Sequence, residues 1–399
     1  MNKNPDLTIL LTLWDRVPCT FRWMSYASKI NLPFKVLIAD GGSDQSVPAA
    51  LADPARYPNV DYEYIRYPYD ATPTHYYAKV LDALGRVKTA FVVLGDNDDF
   101  FVIDALLRSV EFLKGHPDFS SCRGIIGGVR ISPDPAYGEF SNVYGNQVSF
   151  VSKVYPDKST LEETAVGRVH NYFSSYRANW YDVFRTEQTR MSFRVLRDLD
   201  TQDLILSQHI PMLLGVIAGK VQVEPYLYLV RQLEGLTSCD QIETREKGDL
   251  FDRMLADSWS ADFKGFLDAM SAAVSEKDGI SIEMARQRIK EGYRTLMTPG
   301  IVGCLLGSLP PGRSTRIKQK LSSHMGPAGT ALLKLYPAVS RLISGQPLAS
   351  ARDSISAEDA IRTDVAFKPI YEFLAIPPQS IPDSRQTDFR SDLQYSSSS

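Results

Sequence analysis

The sequence predicts an α/β protein built on a largely parallel sheet. Two observations in the first hundred residues carry this. Residues 7–13 (LTILLTL) form a continuous β-branched and aliphatic run, the mark of a strand buried on both faces, and 34–39 (FKVLIA) and 89–94 (TAFVVL) read as further strands of the same sheet. Stretches of helical periodicity separate them, the alternation that a parallel sheet with crossover helices needs. Each run is also closed by polar residues: Asp15-Arg16, Asp40-Gly41-Gly42 and Gly95-Asp96-Asn97-Asp98-Asp99.

In chain order, the strand at 7–13 is followed by a helix over 19–30, with Phe21, Met24 and Ala27 at core spacing. The strand at 34–39 ends in a DGGSD turn, and a short helix near 47–53 leads to a third strand at 62–66. Thr72 as cap and Pro73 in the first turn open a helix through Leu84, with Gly85 at its end. The fourth strand, 89–94, runs into the acidic cluster, a helix over 103–114 stops at Gly115, and 124–131 (GIIGGVRI) reads as a strand. Residues 132–187 read as irregular and aromatic, which suits either a binding surface laid over a sheet or an aromatic core layer. A helix over 203–214 and a late strand over 221–230, closed by Arg231, complete the pattern. Beyond 235 the chain reads as helices, clearest at 248–275 and 281–296. Residues 301–350 hold Arg313, Arg316, Lys318, Lys320, Lys334 and Arg341 and no acid, and the composition from 351 on is that of a loosely held tail.

Composition excludes several classes. With 44 Lys and Arg against 47 Asp and Glu, the 399-residue chain has a net charge of -3 and lacks the basic footprint of a nucleic-acid binder. Its 44% hydrophobic content supports a sizeable core and excludes wholesale disorder. No apolar run reaches the ~18 residues of a membrane-spanning helix. Residues 1–6 lack the layout of a secretory signal, so a cytoplasmic protein is expected. Cys19, Cys122, Cys239 and Cys304 are scattered without zinc-site spacing and read as reduced, mostly buried thiols. Neither G-x-G-x-x-G nor G-x-x-x-x-G-K-[ST] follows the first strand, which counts against dinucleotide oxidoreductases and P-loop enzymes.

The chemistry concentrates in Asp96, Asp98 and Asp99. They follow a central strand, and ligands of open α/β sheets gather at the carboxyl ends of strands. Carboxylates this close repel one another, which a divalent cation relieves. Hard oxygen ligands point to Mg2+ or Mn2+, with a substrate diphosphate completing the shell. The alternative is a polar loop whose Asp99 caps the next helix. Asp40 could accept hydrogen bonds from a ribose or base, or simply close a turn. His209 among Leu, Ile, Pro and Met reads as a core histidine or as a metal or acceptor ligand.

Taken in order over residues 7–235, these segments resemble the family 2-like inverting glycosyltransferases of the nucleotide-sugar-binding GT-A fold. LTLWDR (11–16) is similar to the family's first-strand segment, with Asp15 where Asn is common. VLIADGGSDQS (36–46) is similar to its second-strand turn, which implies that Asp40 contacts the nucleoside base. Asp44 would belong to the turn, and Gly41 stands in place of a second acid. GDNDDF (95–100) resembles the D-x-D signature, implying that Asp96 faces the ribose and Asp98 binds the metal-diphosphate, with Asp99 sharing either role. The segment 200–204 (DTQDL) looks like E-D-x-x-L, Gln202 standing where Glu is usual, and makes Asp203 the base that deprotonates the acceptor hydroxyl. VEPYLYLVRQ (223–232) resembles the last strand of the domain, placing Arg231 near the diphosphate.

The resemblance implies a metal-dependent glycosyltransferase, using Mn2+ or Mg2+. It would move a sugar with inversion from a nucleotide-sugar donor to a hydroxyl of a glycan or lipid-linked acceptor, in surface polysaccharide synthesis. Leu13, Arg16, Asp40, Lys79, Asp96, Asn97 and Arg231 are the expected donor contacts. His170, Tyr172 and Trp180 are the expected acceptor contacts, and Asp96, Asp98, Asp99 and His209 the expected metal ligands. The expected organisation is a GT-A unit over 1–235, with its nucleotide half at about 1–100 and its acceptor half at about 101–235. A helical extension over 236–350 and a tail over 351–399 complete the chain. The basic block at 301–350 could rest peripherally on an anionic membrane surface or be a solvated helix face. Rival readings are a nucleotidyltransferase acting on a sugar phosphate, and a non-catalytic carbohydrate-binding protein of the same fold. Oligomeric state is open.

Overall fold

The computed structural model describes residues 6–141, 143–145, 147–151, 154–176, 178–233, 250–307 and 357–375. Strands β1 (Leu7–Leu13), β2 (Lys35–Asp40), β3 (Tyr62–Arg66) and β4 (Phe91–Asp96) run parallel in the order β3-β2-β1-β4. The sheet continues through β8 (Val183–Arg185), antiparallel to β4, and then β6 (Phe119–Ile131). It ends with β9 (Lys220–Gln232), parallel to β6, and the two-residue β5 (Phe100–Phe101); β7 (Val148–Val151) pairs with β6 off this path.

Strand β1 is buried along its whole length, as its uninterrupted apolar run requires. Alternation divides its side chains between two layers. Ile9 and Leu11 face a core with Phe21 and Met24 of α1 (Val17–Lys29) and Leu106 and Val110 of α4 (Ile103–Gly115). The short α2 (Ser46–Leu51) adds Val47 and Leu51 to this layer. Leu10 faces the other layer, with Val80 and Leu84 of α3 (Pro73–Arg86). Helices α5 (Ala165–Ser174), α6 (Thr186–Leu199) and α7 (Leu204–Ala218) complete it. Helices on both faces of a mixed sheet, followed by a mostly helical C-terminal region, are the expected α/β class. Each fully buried Leu, Ile or Val contributes about 1.5–3 kcal/mol, so two such layers fix the sheet.

The C-terminal helices join the α3 side. The short α8 (Leu250–Met254) is followed by α9 (Trp259–Asp278) and α10 (Ile282–Gly307). Phe266, Met270, Ile289 and Tyr293 sit in one core with Tyr172, Phe173 and Ile210. Helix α11 (Ala357–Leu374) lies in the segment whose composition reads as a tail. It packs Phe367, Ile370, Phe373 and Leu374 against Tyr26, Phe100, Val129 and Ile131. The basic residues from Arg313 to Arg341, and Cys239, lie outside the described residues. No described helix is long and apolar enough to cross a membrane.

Some boundaries differ from the sequence reading, with identifiable causes. β4 starts at Phe91 and keeps Gly95 and Asp96 in the ladder opposite Leu11 and Thr12. Thr89 is instead held in the preceding turn, donating to the Phe91 carbonyl at 2.8 Å. α3 passes through Gly85 to Arg86, so this glycine does not stop the helix. Residues 132–187 are not irregular throughout. Thr164 caps α5, accepting from Gly167 N at 3.1 Å, and Val169, Tyr172 and Phe173 recur at helical spacing. The tyrosines obscure that period because their hydroxyls read as polar.

Candidate active site

Register levels the carboxyl ends of three strands: Leu13 lies beside Asp40 and Thr12 beside Asp96. A crevice of about 410 Å³ opens there. After β1 the chain turns through two consecutive non-glycine left-handed residues, Asp15 (φ 54°) and Arg16 (φ 52°). Each costs about 1–2 kcal/mol, so neighbouring groups must hold the turn. Asn97 does so. Its amide donates to the carbonyls of Asp15 and Arg16, both at 3.3 Å, and to Thr20 Oγ1 at 2.9 Å. Asp15 Oδ1 accepts from Ser43 N at 2.7 Å and Ser43 Oγ at 3.0 Å, tying the turn to the loop after β2.

The three acids sit within this frame, with one oxygen of each inside a 4.8 Å cluster. Asp96, the last residue of β4, accepts from Tyr181 OH at 2.5 Å and from Thr12 Oγ1 at 3.4 Å. Asp98 is ion-paired with Arg16. Asp99 Oδ2 accepts from Arg231 Nε at 3.0 Å, while its Oδ1 is buried without a hydrogen-bond partner. Arg231 also donates to Tyr155 OH at 2.8 Å and lies 4.7 Å over the Tyr181 ring. Beneath the cluster the fully buried Arg22 donates to the carbonyls of Asp98 at 3.1 Å and Val143 at 2.8 Å. Burial pushes the Asp99 carboxyl up to about 8 against the pull of Arg231, and burial with the nearby Asp98 charge raises Asp96. A buried carboxylate oxygen without a hydrogen-bond partner beside two further acids fits a hard divalent cation, which would favour the charged forms of Asp96 and Asp99.

Of the expected residues, Leu13, Arg16, Asp96, Asn97, Asp98, Trp180 and Arg231 line the crevice. Others are placed elsewhere. Asp40 is 2% exposed, and its carboxylate is taken by Gly42 N at 2.8 Å, Tyr64 OH at 2.6 Å and Arg66 Nη1 at 2.5 Å. Lys79 is buried against Asp70 and donates to the Leu13 carbonyl at 2.9 Å. Asp203 caps α7, accepting from Leu206 N at 2.9 Å. Arg253 of α8 forks onto both its oxygens, at 2.6 and 3.0 Å, and Asp203 is not among the crevice lining. His209 is buried between Tyr176 and Tyr293, outside the carboxylate cluster, and burial lowers its pKa to about 4. His170 is exposed on α5 and Tyr172 is core.

The crevice also contains residues the sequence reading assigned no role: Thr12, Trp14, Asp70, Tyr76, Tyr155 and Gln208. Asp70 had a signal, since it precedes Thr72-Pro73 in the connection leaving β3, which opens at the same mouth. A Cβ on Gly41 would overlap the Asp70 carboxylate, so this glycine is required by a neighbour distant in sequence rather than by its own backbone.

Fold and site together define an α/β protein with an acidic, arginine-flanked crevice at the carboxyl edge of its sheet. No family model and no curated protein matches the sequence. Among solved structures, the chain is similar to residues 1–349 of S. aureus TarS at 13% identity over 86% of this chain and 88% of that one. The TM-scores are 0.47 for that structure, 0.49 for its complex with UDP and 0.48 for its complex with UDP-GlcNAc.

Proposed function

We propose that this chain is a GT-A-type glycosyltransferase that uses a nucleotide-sugar donor and a divalent cation. One observation carries the reading: the crevice at the strand ends brings Asp96 and Asp98, with Asp99 clustered beside them, together with two arginines, Arg16 and Arg231. Asp98, with Asp96 and Asp99, would hold Mn2+ or Mg2+, which when bound supplies positive charge to a departing diphosphate. Arg16 and Arg231 add positive charge on either side of it. Trp14, Tyr76 and Trp180 give the donor apolar faces to rest on. Leu204, Ile205 and Gln208 of α7 form the wall at which an acceptor hydroxyl would approach, and displacement from that side inverts the anomeric centre. For Asp203 to take the acceptor proton, Arg253 must first release it, since a carboxylate held at both oxygens is a poor base. A glycan or lipid-linked acceptor in surface polysaccharide synthesis belongs to this reading through the sequence resemblance.

Isothermal titration against UDP-, GDP-, CMP- and TDP-sugars, UDP-GlcNAc included, with and without Mn2+, tests it. Metal-dependent binding of one nucleotide that weakens about a hundredfold in Asp98→Ala is expected from removing a charged ligand. Folded protein that binds none of them puts an unlisted donor or the non-catalytic reading ahead.

A further inference from the structure

Arg16 stands on the carboxylate proposed to hold the cation, and the role assigned to it here rests on that reading. Its guanidinium pairs with Asp98, whose side chain is 13% exposed, while the Arg16 side chain is 29% exposed at the crevice. The backbone beneath it is over-determined. Asp15 and Arg16 are both left-handed, Asn97 binds both carbonyls, and Ser43 holds the Asp15 carboxylate. Such strain persists where surrounding contacts enforce it, and here it aims one cation at one member of the acidic cluster.

The arginine on the other side differs. Arg231 is fixed by Asp99, by Tyr155 OH and by the Tyr181 face, with its side chain 15% exposed. It is built in, whereas Arg16 is the more exposed of the two.

We infer that Arg16 is an exchangeable counter-ion of the metal site. It pairs with Asp98 when no cation does, yields that carboxylate to a divalent cation, and turns onto the diphosphate oxygens of the donor. A guanidinium and a divalent cation beside one carboxylate repel, so Arg16 weakens binding of the metal alone. A diphosphate attracts both and relieves that repulsion. Cation and diphosphate therefore bind as a coupled pair, and the coupling is reciprocal.

The probes are Mn2+ alone, followed by free Mn2+ paramagnetic resonance, and inorganic pyrophosphate added to the Mn2+-loaded protein and followed by calorimetry. Arg16→Gln is expected to bind Mn2+ alone about tenfold more tightly than wild type, and pyrophosphate about tenfold more weakly, within the usual range of site-to-site coupling. Arg16→Lys keeps the charge and should bind Mn2+ close to wild type. Arg16→Gln that takes up Mn2+ no better than wild type overturns the exchange, provided Asp98→Ala still loses the metal. Unchanged pyrophosphate affinity overturns it equally. No Mn2+ uptake by wild type, Arg16→Gln or Arg16→Lys removes the metal site itself, and this inference with it.

Discussion

Two aspartate–arginine systems lie near α7, one at the crevice that its residues help to line and one at its N-terminus, and their fates differ. At the sheet edge, Asp98 pairs with Arg16 and Asp99 with Arg231, beside a crevice that both arginines line. At the N-terminus of α7, Asp203 pairs with Arg253 in a closed helix junction, with the Asp203 side chain 4% and the Arg253 side chain 7% exposed. Asp262 of α9 seals that junction by accepting from the backbone N–H groups of Gln202 and Asp203, at 3.1 and 2.9 Å. The same residue types thus edge an open crevice in one place and close a structural joint in the other. Position decides: a strand's carboxyl end opens on a mouth, whereas a helix N-terminus met by other helices buries its cap.

Asp203→Ala challenges this contrast most directly. If the closed junction is structural, the variant loses a helix cap and leaves Arg253 buried without its carboxylate. That should cost about 3–5 kcal/mol in urea denaturation, with nucleotide affinity nearly unchanged. Full stability with lost transfer would move Asp203 into the chemistry. The open edge should answer in the opposite way, Asp98→Ala costing less than about 1 kcal/mol of stability despite its effect on nucleotide binding.

The closed side also has its own pH signature. Burial, with Arg253 adding to it, depresses His209 to about 4 from an ordinary 6.5. The unfolded chain therefore takes up this proton first as pH falls. The His209 contribution is neutral above pH 6.5 and destabilises progressively from there down to about 4, by up to about 3 kcal/mol. His209→Phe, which keeps a ring between Tyr176 and Tyr293, should flatten the stability difference between pH 7 and pH 4.5 relative to wild type. A parallel profile for the two proteins would place the acid sensitivity elsewhere. A modest effect is expected at the crevice rim. Thr72→Ala removes the α3 cap and should cost about 1 kcal/mol, read from the thermal midpoint.

Much of the architecture was legible because buried parallel strands leave continuous apolar runs. β1 and β3 match their sequence-predicted spans residue for residue. Thr72-Pro73 marked the start of α3 because capping is local chemistry. Helices α5 and α6 were harder, since tyrosines and arginines there bury their rings and stems while reading as polar. Arg168 is the clearest case: it is 2% exposed, with its guanidinium on the carbonyls of Val216 and Ile217 at 2.8 and 2.7 Å. In the site, the acidic cluster and both arginines were legible. The roles of Asp40, Lys79 and Asn97 were not, because their partners Tyr64, Arg66, Asp70 and the Asp15-Arg16 carbonyls are distant in sequence or conformation-dependent.

Periodicity, caps and turn residues act over a few residues, and they were enough for the α/β class, the order of the first four strands along the chain and the placing of acids after β4. Only the folded chain settled which acids share the crevice, that Asn97 holds a left-handed turn, and that the C-terminal helices close over Asp203. Those outcomes depend on strand register and helix docking, which bring together groups that no local pattern in the chain relates.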